Sequence, residues 1–123
     1  MRDHKKLRAF ELADRLALDV YLATRDFPDD ERFGLRLQLR KGAVSVASNI
    51  VEGCARSTER DYVNFLGIAF GACCELDYQL SLSRRLGYLS ADTHSRLGKQ
   101  SAETARVLNG LIRSLRSRVV PRA

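Results

Sequence analysis

Tryptophan is absent from this chain of 123 residues, and proline, histidine and methionine are nearly so, with two, two and one copies. With proline only at Pro28 and Pro121, nothing interrupts a helix over the ninety-two residues between them. The two histidines, His4 and His94, each lack a glutamate three residues before them, so the Glu-x-x-His pairs of a di-metal carboxylate bundle are missing. Three cysteines, Cys54, Cys73 and Cys74, form neither a disulfide framework nor a zinc-binding spacing, and are expected to pack as small apolar side chains. The longest uncharged stretch, Tyr62 through Cys74, is too short and too rich in glycine to span a bilayer. The start, with Arg2, Asp3, His4, Lys5 and Lys6, has no following apolar run of the secretory kind. A soluble, cytoplasmic protein without membrane, metal or cofactor is therefore expected. No phosphate-binding glycine loop and no Ser-His-acid or Cys-His pattern appears, so an enzyme is not expected.

What is present is helical periodicity. Hydrophobic residues make up 45% of the chain, enough for one core. The spacing of apolar residues predicts four helices over about 7–25, 31–54, 58–86 and 91–118, in one domain spanning 1–123 with a short basic tail at 119–123. The first buries Phe10, Ala13, Leu16, Ala17 and Val20, and stops before Phe27-Pro28. Asp29, Asp30 and Glu31 supply acidic groups for the start of the second. Its stripe is Leu35, Leu39, Ala43, Val46, Ala47 and Ile50, with Gly53 as a left-handed stop. Thr58 followed by Asp61 resembles a capping box for the third helix, Gly87 ends it, and Ser90 opens the fourth. The fourth carries Leu97, Thr104, Leu108, Leu111, Ile112 and Leu115. Short connections imply an all-α, antiparallel up-down-up-down four-helix bundle.

Two patterns lie outside that core. Leu18 and Leu22 on the first helix, the heptad row Leu37, Val44 and Val51 on the second, and Val63, Phe70 and Cys74 on the third form extra apolar rows. A lone bundle cannot bury all of them, so they are expected to form an oligomer interface, the alternative being that the second and third helices sit deeper in the bundle. Charge is also uneven. Residues 1–83 hold twelve basic and thirteen acidic residues, whereas 84–123 hold nine basic and two acidic. On the fourth helix Lys99, Arg106 and Arg113 recur every seven residues, opposite the leucine stripe. Arg96 and Arg116 widen that row, Arg118 and Arg122 extend it, and Arg84 and Arg85 end the third helix. Arginine-rich rows suit phosphate. No aromatic is interleaved, so contact with RNA or DNA is expected to be electrostatic and weakly specific. Gly67 and Gly71 are read as permitting close helix approach. Ser48, Asn49, Glu52 and Gly53, with Glu75, are read as a structural motif, in which Asn49 and Glu52 hydrogen-bond neighbouring backbone and fix the turn into the third helix.

The run Phe27–Arg56 (FPDDERFGLRLQLRKGAVSVASNIVEGCAR), continued by Asp61–Leu89 and preceded by Ala9–Pro28, resembles the bacterial four-helix-bundle proteins encoded by intervening sequences in 23S ribosomal RNA genes. The stretch Ser48–Gly53 (SNIVEG), with Phe27-Pro28 and Glu75-Leu76, carries the resemblance in combination. It implies a bundle that assembles into a homopentamer. Related accessory proteins of diversity-generating retroelements have a basic barrel and bind nucleic acid and a reverse transcriptase, and the resemblance extends both partner classes to this chain. Val46-Ala47 departs from the family's common Ile-Pro, so the second helix is expected to lack a proline kink. A structural or adaptor assembly with a protein partner is the alternative function.

Overall fold

Pro28 and Gly87 punctuate the chain as their chemistry requires, and between such stops a computed structural model of the chain, which describes residues 2–119, consists of helices and turns. A 3-10 turn at His4–Lys6 precedes α1 (Arg8–Ala23), and a second at Asp29–Glu31 leads into α2 (Leu35–Cys54). After these come α3 (Glu59–Arg85) and α4 (Ala91–Val119). Each helix packs against its two neighbours in the ring α1–α2–α3–α4, and among the described residues no close backbone approach joins a diagonal pair. This is the expected antiparallel four-helix arrangement.

The caps are local and specific. Thr58 accepts from the Asp61 N–H at 3.1 Å, and Ser90 accepts from the Thr93 N–H at 3.1 Å. Gly87 has φ of +82°, a left-handed conformation that suits glycine after a helix. At the other end, Asp3 accepts from the Lys5 N–H at 3.0 Å and caps the 3-10 turn at His4–Lys6.

The start of α2 departs from expectation. The acidic run does not open the helix; it forms a separate 3-10 turn, and α2 begins four residues after Glu31. Glu31 then reaches forward. Its Oε1 accepts from the Leu35 N–H at 2.9 Å, and its Oε2 accepts from the Tyr88 hydroxyl at 2.9 Å. One carboxylate thus caps α2 and ties the α1–α2 connection to the α3–α4 connection. A Cβ at Gly34 would meet that carboxylate, so a larger residue there would push the Glu31 side chain off its cap. Gly53, expected as a left-handed stop, is instead the buried contact of the last turn of α2: a Cβ there would press on Phe65 at 3.0 Å and Tyr62 at 3.2 Å. α2 is continuous through Val46-Ala47, as the missing proline implied.

The core has two layers. One gathers Ala9, Ala13, Val46, Ile50, Tyr62, Leu66, Cys73, Leu108 and Ile112; the other gathers Leu16, Val20, Leu39, Leu76, Leu80, Leu89 and Leu97. Each fully buried leucine contributes about 2 kcal/mol through removal of apolar surface from water. Polar groups within it are bonded: Thr24 donates to the Val20 carbonyl at 2.9 Å and accepts from Arg40 at 2.8 Å. The Arg40 guanidinium also lies over the Tyr21 ring at 4.6 Å, pinning the end of α1 to α2. Between α3 and α4, the Cys73 thiol donates to the Ser101 carbonyl at 3.2 Å.

Three substitutions test these contacts. Tyr88→Phe removes the hydroxyl from the Glu31 clasp and is expected to lower the denaturant midpoint slightly. Glu31→Ala, which also strips the cap from α2, is expected to lose about 2 kcal/mol. Burial, and then the neighbouring Cys54, pushes the Tyr62 phenol up to about 12. Because the folded-state value lies above the unfolded value, the stabilisation is complete below pH ~10 and drains away as pH rises from ~10 towards 12. Alkaline unfolding of Tyr62→Phe should show a shallower loss over that window; equal slopes would refute the assignment.

Candidate nucleic-acid interface

α4 is uninterrupted for 29 residues, which makes it a straight element roughly 43 Å long at 1.5 Å per residue. Leu97, Ser101, Thr104, Leu108, Ile112 and Leu115 are buried, and Leu111 is half-buried at the flank. That stripe fixes the rotation of the helix, and Lys99, Arg106 and Arg113 are exposed on its far side, with a rise of ~10 Å between successive members. None of the three has an ion-pair partner among the described residues.

The wider basic set divides. Arg96 lies 3.7 Å from Asp19 on α1, and Arg118 lies 3.1 Å from Glu59 at the start of α3, so both are partly neutralised. Arg84 donates to the Leu89 carbonyl at 3.5 Å, and Arg85 lies over the Tyr78 ring at 6.0 Å. Both stand at the end of α3 beside the start of α4, away from the Arg106–Arg113 half of the row. Arg116 is exposed with no ion pair among the described residues. Arg122 lies outside the described residues, as does most of the 119–123 tail. Lys99 shares a shallow depression with Asp92 and Glu103, and Glu103 is itself taken up by Arg8 at 2.9 Å. Positive charge is therefore least compensated from Arg106 towards the end of α4.

The apolar rows also divide. Leu18, at 59% exposure, and Leu22 project from α1, and Leu37, Val44 and Val51 line one side of α2, Val51 being the least exposed at 36%. Tyr21 and Val44 meet in a groove between α1 and α2. Val63 does not belong to this surface: it is 8% exposed and sits in the core, and Phe70 is half-buried against the same cluster. The expected outer row on α3 fails because α3 packs against both α2 and α4, and its buried arc is wide enough to take in both residues. Cys74 is exposed, whereas Cys54 and Cys73 are buried. Gly67 and Gly71 face open space, with nothing within 4 Å of a Cβ at either, so they do not bring two helices of this chain together.

The polar residues near the end of α2 have local tasks. Asn49 donates to the Ser45 carbonyl at 2.8 Å and to its hydroxyl at 3.0 Å, and Glu52 pairs with Arg56 one turn on. Ser48 is exposed in the α1–α2 groove, and exposed Glu75 lines a groove of about 260 Å³ between α2 and α3 with Lys41 and Gln79. Asn49 thus bonds neighbouring backbone as expected, whereas Glu52 bonds the Arg56 side chain instead. His4 stacks edge-on against Phe10 at 4.7 Å between ring centroids. No group of three metal-ligating side chains occurs among the described residues, and no helix there is long and apolar enough to cross a membrane.

The non-local pairs were invisible to periodicity. Asp19 and Arg96 are far apart in sequence, as are Glu59 and Arg118, and only the ring order of helices brings them together. The wide buried arc of α3 did have a sequence signal: at 100° per residue Val63 and Phe70 fall beside Leu66, not opposite it.

No curated protein matches the chain at a significant level. Among solved structures, it is similar to a crystal structure of a protein of unknown function from the S23 ribosomal protein family of Bacteroides thetaiotaomicron. The TM-score is 0.79 and the identity 21%, over 85% of this chain and 95% of that one. That likeness establishes the shared helical fold. The sequence pattern of one family spans nearly all of the bundle, from Lys5 in the first turn to Gly110 in α4, and on that match over residues 5–110 the chain belongs to the 23S rRNA-intervening sequence proteins.

Proposed function

We propose that this chain is a non-enzymatic, cytoplasmic, self-associating module that binds RNA or DNA through the outer side of α4. The observation that carries this reading is the row Lys99, Arg106 and Arg113. These cations are held at regular rise on one rigid helix, exposed, and without ion-pair partners among the described residues, while neighbouring arginines are engaged. Such a row meets phosphates by charge and by paired guanidinium donors, and releases counterions as it does so. The family label names the position of the genes and not a ligand, so it does not by itself make the chain a ribosome component.

Self-association is supported by the exposed apolar side chains of α1 and α2; those of α2 stand across the ring from α4, and those of α1 on the helix beside it. The family resemblance supplies a homopentamer as the expected assembly. Repetition of the basic row around such a ring would raise affinity through avidity. The same apolar surface supports a second reading, an adaptor whose partner is another protein; for the retroelement relatives that partner is a reverse transcriptase.

Charge reversal tests the first reading. Lys99→Glu, Arg106→Glu and Arg113→Glu together are expected to lower affinity for generic RNA and DNA by at least about a hundredfold near 0.1 M salt, with the helical signal intact. Unchanged anisotropy titrations would remove α4 as the site. For assembly, Leu37→Asp with Val44→Asp should reduce the mass seen by light scattering to that of the single chain. A double variant that keeps the full mass of the unaltered protein would place the contacts elsewhere.

A further inference from the structure

The sequence assigns nearly all excess positive charge to its last third, but the fold brings cations from two other stretches to one end of the bundle. α1 and α3 begin at that end, and α2 and α4 finish there. The contact of Arg118 with Glu59 places the last turn of α4 beside the first turn of α3. The 3-10 turn at His4–Lys6 packs on α1 and α2 at the same end. Lys5 and Lys6 on that turn, Arg60 in the first turn of α3, and Arg113 and Arg116 near the end of α4 are all exposed.

The glutamates at this end are paired with arginines, and Asp3 caps a turn. Asp3 accepts from the Lys5 N–H, Glu11 lies 3.7 Å from Arg8, Glu52 pairs with Arg56, and Glu59 pairs with Arg118. Asp61 stands in the first turn of α3, where the helix dipole favours a carboxylate. Lys5, Lys6, Arg60, Arg113 and Arg116 have no ion-pair partner among the described residues. At the opposite end, Asp26, Asp29, Asp30 and Asp92 are interspersed with the arginines.

The aromatic rings near this end are covered. Arg2 lies over the buried Tyr62 at 4.2 Å, Arg56 lies over Phe65 at 4.6 Å, and Phe10 is half-buried against His4. The exposed aromatics, Tyr21, Phe33 and Tyr78, stand in other parts of the molecule. Proteins that hold single strands stack bases on exposed rings, and this surface offers none. It offers cations on rigid elements instead, which match phosphates already fixed in place and densely spaced, as on a double helix.

We infer that the ligand of this surface is a nucleic-acid duplex, gripped by its backbone where the α4 row turns onto the end of the bundle, with Lys5, Lys6 and Arg60 contributing as directly as Arg106, Arg113 and Arg116. This rests on the nucleic-acid reading of α4, and adds to it the form of the ligand and a second set of contacts. Duplex RNA and duplex DNA share the chemistry required, so the measurement compares them.

The test uses the full chain with labelled mixed-sequence RNA and DNA duplexes, and with oligouridine and oligothymidine single strands of the same length, titrated by anisotropy between about 50 and 200 mM salt. Duplexes are expected to bind at least about tenfold more tightly than the single strands. The triple variant Lys5→Gln, Lys6→Gln and Arg60→Gln leaves the α4 row intact. It is expected to flatten the slope of log affinity against log salt by about 3 for duplexes. All three side chains are exposed, so the helical signal should be that of the unaltered protein. Single strands binding as tightly as duplexes, or a triple variant with the full salt slope, would overturn the inference. In either case a loss of binding on reversing Lys99, Arg106 and Arg113 keeps the α4 reading, whereas an unaltered protein that binds none of the probes removes both.

Discussion

Burial of one stripe on α4, from Leu97 through Leu115, sets the orientation of everything opposite it. A helix packed on two neighbours has a single rotational setting, because turning it by one residue would bring a charge into the core and expose a leucine. The outer row of cations is therefore held by apolar packing and not by its own interactions. The same logic operates on α2, where Leu39, Ala43, Val46 and Ile50 point inward and leave Leu37, Val44 and Val51 outside. The two surfaces lie on diagonally opposed helices. The molecule can thus present charge on one side and apolar contacts on the other without either interfering.

Periodicity made the four helices and most of their faces legible in the sequence. α4 was the clearest, since twenty-nine residues without proline leave one consistent stripe. Thr58, Gly87 and Ser90 were readable as helix signals because each satisfies, or makes room for, a backbone group within four residues. The failures cluster where tertiary contact overrides local preference. Gly53 looked like a helix stop, but it is small because Tyr62 and Phe65 press on it. Val63 looked like an outer residue, but α3 buries a broad arc between two partners. The acidic run before α2 looked like a helix start, but Glu31 serves two distant groups from a separate turn.

The candidate interface was legible in part for the same reason. A heptad of basic residues is a local pattern, so Lys99, Arg106 and Arg113 could be found in advance. Which arginines remain unpaired is a non-local property. Arg96 and Arg118 are engaged by Asp19 and Glu59 across helix boundaries, and Lys5, Lys6 and Arg60 join the basic end only after the chain has doubled back three times. Counting charge along the chain placed the excess in the last third. Counting it in space moves the centre towards one end of the bundle.

The ring order also bears on how the structure assembles and comes apart. Three of its four seams join helices adjacent along the chain, which meet by closing short connections. The fourth joins α1 to α4 through Arg8 with Glu103 and Gln100 with Asp19, pairs separated by 95 and 81 residues. Closing so long a loop carries the largest entropic cost, so that seam is expected to form late. Its polar contacts are mostly at the surface, and Gln100 keeps a buried Oε1 without a hydrogen-bond partner among the described residues. Amide protons along α1 and α4 are accordingly the ones expected to exchange through partial opening, ahead of those between α2 and α3. The helix that carries the basic row thus also borders the last seam to close.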